Sequence, residues 1–262
     1  MKKYFRIYSM FLKLNFSALV AYRSNFINSV ISSIAWGLFS VFNIVILTSR
    51  VSLVFGWKRE EIIILTAAFN ILVGIFHTVF SRNFERISKL ANFGELDRVL
   101  LYPIDSQFSV SFWLVNYAGL ARIPIGVGLL VYFLQQLHLA PSWLQLTSFG
   151  LLLMIGLGLQ YSIWMIIVTL TIWFTRLSNV AEVMYSVTGM ARLPREMFRQ
   201  LTDYIFVFLL PITLIIVTPV KTLFHQANTL EILVLISVAC FFFFASRKFW
   251  KFALRYYTSA SS

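Results

Sequence analysis

The sequence predicts an all-α integral membrane protein with six transmembrane helices. The chain of 262 residues is 59% hydrophobic and only 12% charged, whereas soluble domains carry about 25% charged and about 45–50% apolar residues. Several apolar stretches approach the roughly 20 residues that a helix needs to cross a bilayer. None of them shows the alternation of polar and apolar residues that is typical of a membrane β-barrel.

Hydropathy places five of the six spans directly. They cover residues 26–49, 61–81, 108–134, 144–174 and 231–246. The segment 1–25 mixes aromatic residues with Lys and Arg, which is typical of an amphipathic helix lying in the membrane interface. The tail 247–262 is basic, so we expect both ends of the chain on the cytoplasmic side. The net charge of +12 comes from such span ends, and we expect no nucleic-acid partner.

The longest charged interruption, 82–107, separates the second span from the third. Its first part has the periodicity of a short amphipathic helix, with apolar residues at i, i+3 and i+4: Ile87, Leu90 and Ala91. Gly94 can end this helix, because glycine adopts the left-handed conformation at little cost. A second amphipathic run, 96–102, ends at Pro103.

The charges of this segment are nearly balanced. Its four basic residues are matched by four acidic ones: Arg82, Arg86, Lys89 and Arg98 with Glu85, Glu95, Asp97 and Asp105. A loop that only anchors the chain to anionic lipid should be basic. We therefore infer that the segment 82–107 faces another protein.

Three stretches of the chain carry a family resemblance. The central one is Gly94-Glu95-Leu96-Asp97, followed by Leu100-Leu101 and Pro103. It resembles the G-E-L-D-x-x-L-L-x-P signature of a bacterial branch of ABC-type-2 transporter permeases. Weaker similarity to the same branch occurs at 22–26, Tyr-Arg-Ser-Asn-Phe, and at 256–261, Tyr-Tyr-Thr-Ser-Ala-Ser, so the resemblance extends over the whole chain.

The resemblance implies the permease subunit of an ABC exporter in a bacterial plasma membrane. The segment 82–107 would then lie in the cytoplasm and contact a separate ATPase, which would bind ATP and Mg²⁺, while this chain would hold no cofactor. Six spans would form half of a pathway, so a second permease subunit is implied, identical or related. The residues expected to couple to the ATPase are Glu85, Arg86, Lys89, Gly94, Glu95, Leu96, Asp97, Arg98 and Pro103.

The fifth span has two interpretations. Hydropathy places it at 201–220, and this choice gives the stronger excess of Lys and Arg on the cytoplasmic side. The resemblance instead implies a weakly hydrophobic span at 179–193, followed by a re-entrant outer segment at 194–220. We favour the second interpretation, because Pro211 and Pro219 suit a bent hairpin better than a straight span. Arg195 would then lie outside the cell.

Catalytic motifs are missing from the sequence. No G-x-x-x-x-G-K-[ST] phosphate loop is present, and neither is an H-E-x-x-H or cysteine cluster that would bind a metal. Most carboxylates occupy loop and interface positions, where they cannot support acid–base catalysis inside the membrane. We therefore expect no enzymatic activity and no metal site in this chain.

Three polar residues are predicted within the membrane: Arg122, Glu182 and His77. A guanidinium near the middle of a span is costly unless it faces protein or water. We expect Arg122 to pair with Glu182 or with backbone carbonyls freed by Pro124. His77 could relay protons, but a lone histidine is more often satisfied by its neighbours. The alternative function is a carrier or channel that works without an ATPase and uses Arg122 and His77 in its path.

Overall fold

The computed structural model describes residues 2–50, 53–174, 180–200 and 203–257. Within these ranges the chain is helical apart from turns and one short hairpin, β1 (Leu53–Val54) paired antiparallel with β2 (Trp57–Lys58). The α-helices are α1 (Lys2–Ala21), α2 (Arg23–Leu47), α3 (Arg59–Phe76), α4 (Arg82–Asn92), α5 (Leu96–Leu100), α6 (Ser106–Phe112), α7 (Arg122–Gln136), α8 (Trp143–Thr169), α9 (Val180–Gly189), α10 (Asp203–Leu223) and α11 (Thr229–Arg255). The all-α prediction is confirmed.

Five helical stretches of the described chain are long and apolar enough to cross a membrane. They are Arg23–Leu47, Arg59–Ala91, Tyr117–Gln136, Trp143–Ile172 and Thr229–Arg255. Each overlaps one of the five spans that hydropathy predicts. A shorter apolar stretch, Pro211–Leu223, lies within α10.

The second span continues into the charged segment without a break. A π turn, His77–Ser81, joins α3 to α4, so the helix runs from Arg59 to Ala91. A π turn inserts one residue into a helix and changes its hydrogen-bonding pattern locally. The backbone N–H of Asn116 donates to the carbonyl of Thr78 in this turn, at 2.8 Å.

The third span differs from its prediction, because the helix is interrupted at 113–116 between α6 and a 3₁₀ turn, Tyr117–Ala121. Irregular backbone inside a membrane protein needs partners within the protein. Asn83 provides two of them, since its amide nitrogen donates to the carbonyl of Leu114 at 2.7 Å and its amide oxygen accepts from the N–H of Leu114 at 2.8 Å. These partners come from α4, so hydropathy alone could not have shown the interruption.

Contacts between distant residues define two ends of the helix bundle. At the Trp57 end, the Trp57 ring contacts Phe224 at 6.4 Å between centroids, and the amide of Gln145 donates to the carbonyl of Thr222 at 3.2 Å. At the Gly94 end, which holds residues 92–105, the C-terminal half of α11 packs on α6 through a bond from the Trp250 indole to Ser106. The helix α1 also lies at the Gly94 end.

The helix α1 packs lengthwise on the start of the third span. Four aromatic pairs follow one another along it: Tyr4–Phe108, Tyr8–Phe112, Phe11–Trp113 and Phe16–Tyr117. The sequence predicts a helix here, and that helix is confirmed. Its position in the membrane interface stays a prediction.

From α9 onward, the chain runs along α3 toward the Trp57 end. Its successive contacts on the Arg59–Ala91 helix occur at ever earlier residues: Tyr185 with Glu85 and with His77, then Arg192 over Phe69. Glu196 then accepts a hydrogen bond from the Trp57 indole at 3.1 Å. The segment 180–196 therefore runs along this helix as α9 and 3₁₀ turns, and its identification as the fifth span stays a prediction.

The helix α10 packs on the middle of α8 and ends at the Trp57 end. A Cβ on Gly156, near the middle of α8, would lie 2.6 Å from the carbonyl oxygen of Ile215, so glycine is needed for this close approach. The chain thus leaves the Trp57 end after Glu196 and returns to it at Phe224. Pro211 and Pro219 both lie inside one continuous helix, so the bent hairpin predicted from these two prolines is wrong. Residues 201 and 202 lie outside the described part.

Candidate functional site

The segment around Gly94 folds as the periodicity predicts. The helix α4 buries Ile87 and Leu90 fully, and α5 buries Leu96 and Val99. Gly94 lies between the two helices with φ of +70°, the left-handed conformation that glycine adopts cheaply. The two short helices therefore form a folded unit at one end of the bundle.

Two large apolar side chains project from this unit. Phe93 is 75% exposed and Leu101 is 83% exposed. Lys89, Glu95 and Arg98 are exposed beside them. We call these five residues the loop surface. Apolar anchors ringed by charged groups are typical of a protein-binding surface.

An ion pair fastens the base of the loop to α11. Arg247 donates to both carboxylate oxygens of Asp105, with one bond of 2.8 Å, and to the side-chain oxygen of Gln107 at 3.0 Å. Asp105 also caps α6 by accepting from the N–H of Phe108 at 3.0 Å. Partial burial raises the pKa of Asp105, but the bonds from Arg247 and Phe108 and the charges of Arg247 and Lys251 outweigh it, so the pKa is lowered.

Several residues predicted to couple with the ATPase make contacts within the chain. Glu85 accepts from the Tyr185 hydroxyl at 2.5 Å, and Arg86 lies over the Trp113 ring, 5.5 Å from its centroid. Burial and the nearby charge of Asp97 raise the pKa of Tyr257, which follows the end of α11.

Pro103 and Leu96 also make contacts within the chain. The carbonyl of Pro103 accepts from the Lys3 ammonium at 2.9 Å, and Leu96 is fully buried. Of the predicted coupling residues, three are exposed and belong to the loop surface: Lys89, Glu95 and Arg98.

A polar cavity of about 570 Å³ lies between α1, α2, the π turn and the 3₁₀ turn Tyr117–Ala121. Asn15 and Ser32 belong to the polar wall that α1 and α2 supply. His77, Arg82 and Arg122 line it from the other side. None of the described residues that line this cavity is a carboxylate.

Arg122 is the first residue of α7 and is wedged between two neighbouring helices. Its side-chain carbons lie against Gly37 of α2 and Gly74 of α3, within 3.6 Å of the position of a Cβ on either glycine. Its Nε donates to the carbonyl of Ser33 at 3.2 Å. Neither terminal nitrogen bonds to a residue in the described part of the chain.

The predicted pair of Arg122 with Glu182 is wrong. Glu182 is exposed in the first turn of α9, and the next turn of that helix packs on His77, where the Tyr185 ring lies 5.2 Å away. Arg122 instead uses a backbone carbonyl, which is the second option, but that carbonyl comes from Ser33 rather than from the turn around Pro124. Pro124 lies in the first turn of α7, where a missing N–H frees no carbonyl of the helix interior.

Sequence reasoning missed four residues of these sites. Phe93 is apolar yet falls outside the Ile87–Leu90–Ala91 stripe, which is a signal of exposure that could have been used. Leu101 stands in the quoted signature but was not selected as a contact residue. Arg82 gives no local signal of the cavity that it lines, and Arg247 gives none because its partner, Asp105, lies far away in sequence.

The fold is that of a multi-pass, all-α membrane protein. A family model described as ABC-2 family transporter protein matches residues 34–261. The chain therefore belongs to the ABC-2 family of transporter proteins, as the resemblance at Gly94–Pro103 predicts. No curated protein and no solved structure matches it.

Proposed function

We propose that this chain is the permease subunit of an ABC exporter and that a separate ATPase docks on the loop surface. The observation that carries the proposal is the pair of apolar anchors, Phe93 and Leu101, exposed at the tip of the segment that bears the family signature. Apolar side chains exposed beside charged residues favour a surface that a partner protein covers. ATP and Mg²⁺ would be bound by that partner.

Three contacts would carry movement of the loop into the membrane helices. The helix α4 is continuous with α3 through the π turn. Glu85 links α4 to α9 through Tyr185, and Asp105 links the base of the loop to α11 through Arg247. A push on the loop surface would therefore tilt three crossings and open or close the polar cavity.

A second membrane subunit, identical or related, completes the proposed transporter. In the most apolar stretches of α2 and α11 only 17% of the residues are buried, against 78% in the Arg59–Ala91 helix. Lipid can cover such faces, but the polar cavity borders α2, and a partner subunit would enclose it. Cross-linking of cysteines placed along α2 would show whether a second subunit lies there.

The docking proposal is tested by replacing both anchors, Phe93→Ser with Leu101→Ser. The variant should still insert and fold, since both side chains are exposed, while ATPase co-purification and transport-linked ATP hydrolysis fall by about tenfold or more. The matched control is Leu53→Ser, an exposed leucine at the Trp57 end. It should retain the parental ATPase activity.

Parental ATP hydrolysis and co-purification in the double variant would contradict the proposal that the ATPase docks on the loop surface. Transport by the purified chain in vesicles without any ATPase would support the carrier alternative, in which His77 and Arg122 line an ion path.

Orientation is tested at the Trp57 end, which we propose to be extracellular. Arg195→Cys, in a background with Cys240→Ser, should react with a membrane-impermeant thiol reagent in intact cells, because the adjacent Glu196 bonds to Trp57. Arg98→Cys at the Gly94 end should react only after permeabilisation. The reverse labelling pattern would place the loop surface outside and exclude a cytoplasmic ATPase from it.

A further inference from the structure

The polar cavity has one sign of charge. Two arginines reach it, Arg82 from α4 and Arg122 from α7, and the described lining holds no carboxylate to neutralise them. A positive charge close to low-dielectric surroundings attracts anions more strongly than it does in water. An intramembrane arginine without an acidic partner is itself a mark of a functional site.

Arg122 is held so that its binding face stays open. The Nε is occupied by the Ser33 carbonyl, and the carbon chain is fixed against Gly37 and Gly74. The two terminal nitrogens are left without partners in the described chain. A guanidinium held in this way can donate two parallel bonds to a phosphate or a carboxylate.

The lining also contains large apolar side chains. Leu19, Phe26 and Trp36 lie among the polar residues that α1 and α2 contribute. Next to them, the outer face of α2 exposes Ile27 and Ile31. An occupant with a charged head and an apolar body would contact both the arginines and these apolar side chains.

We propose that this cavity binds a phosphate-type anionic group carried by the transported molecule, with Arg122 and Arg82 as its ligands. The proposal rests on the transport function above and names the chemistry of the substrate. The anion can belong to a lipid head group or be a free phosphate, and the two sources are separated by experiment.

Binding is measured on the purified chain alone, in a neutral detergent, with three probes. These are a short-chain phosphatidic acid, the phosphatidylcholine with the same chains, and inorganic phosphate. Phosphatidic acid should bind much more tightly than phosphatidylcholine. Tighter binding of phosphatidic acid than of phosphate assigns the site to a lipid head group, and equal binding assigns it to the free anion.

The variants Arg122→Gln and Arg82→Gln identify the ligands. Arg122→Gln should weaken binding of phosphatidic acid by about tenfold to a hundredfold, since it removes charge-assisted bonds, and Arg82→Gln should weaken it by a smaller factor. The matched control is Arg255→Gln, an exposed arginine at the end of α11, which should bind as the parental chain does. Arg122→Lys keeps the charge and should retain part of the affinity.

Parental affinity in both Arg122→Gln and Arg82→Gln would overturn the proposal, as would equal binding of phosphatidylcholine and phosphatidic acid. Thermal unfolding checks that each variant is folded. If Arg122→Gln does not fold, the comparison of Arg82→Gln with Arg255→Gln decides in the same way. No ATPase takes part, so a failure here leaves the permease proposal standing, and a failed docking experiment leaves this one standing.

Discussion

Each end of the bundle has an ion pair, but the two pairs connect different kinds of segments. At the Trp57 end, Lys221 and Glu231 join α10 to α11 at 3.0 Å, with only 13% and 12% of their side chains exposed. At the Gly94 end, Arg247 and Asp105 join α11 to the base of the loop, with 34% and 29% exposed. The first pair joins two consecutive helices across a short turn. The second links segments that are 142 residues apart.

This difference indicates different mechanical roles. A buried pair between neighbouring helices closes a turn and keeps it in place. A half-buried pair between distant segments can transmit force from one to the other, and water can reach it when the segments move. We therefore expect the Trp57 end to contribute mainly to stability and the Gly94 end mainly to coupling.

The largest expected effect is on stability at the Trp57 end. Lys221→Met removes the charge opposite the largely buried carboxylate of Glu231, and breaking a buried pair in this way costs about 3–5 kcal/mol. The double variant with Glu231→Gln should recover part of that loss. Thermal unfolding in detergent measures both changes. ATP hydrolysis by the assembled complex, compared at a temperature where the variant is folded, should stay near the parental rate.

A smaller loss of stability with a larger loss of coupling is expected at the Gly94 end. Asp105→Asn removes the charge opposite Arg247 but keeps an N-cap for α6, since asparagine caps helices as well as aspartate does. The loss of unfolding free energy should be about 1–2 kcal/mol, because the pair is partly solvated. Transport-linked ATP hydrolysis should fall, and Arg247→Gln should reproduce the effect. An unchanged rate in both would remove the force-transmitting role.

The smallest expected effect is a pH dependence of the Gly94 end. The pKa of Asp105 is lowered in the folded chain, so its contribution to stability is complete above the ordinary carboxyl pKa of about 3.9 and is lost as the pH falls through the lower, folded value. The stability difference between the parental chain and Asp105→Asn should be constant above about pH 5 and shrink below about pH 4. A stability difference that stays constant down to pH 2 would show that protonation of Asp105 does not change the stability of the chain.

Local chemistry was enough to predict much of this molecule. The stripe at Ile87, Leu90 and Ala91 gives α4 its buried face, and Gly94 takes the conformation for which glycine is suited. The five apolar spans follow from length and hydropathy, because the bilayer imposes both. In these regions the sequence within a few turns determines the structure.

The errors concern contacts between distant segments. The interruption at 113–116 depends on Asn83, and the position of Arg122 depends on Ser33 of another helix. Pro211 and Pro219 remain in a helix because α10 packs tightly on α8 near Gly156. Neither the hydrophobic periodicity nor the helix propensity of a segment depends on residues so far away in sequence. These contacts therefore become visible only in the folded chain.

The π turn has one further consequence, which concerns rotation. An α-helix turns by about 100° per residue, so the single residue that the π turn inserts sets the angle at which α4 leaves α3. Without it, Phe93 and the rest of the loop surface would face a direction about 100° away around the helix axis. The turn His77–Ser81 therefore sets the direction in which the loop surface faces. It would also determine from which side of the bundle the proposed partner approaches.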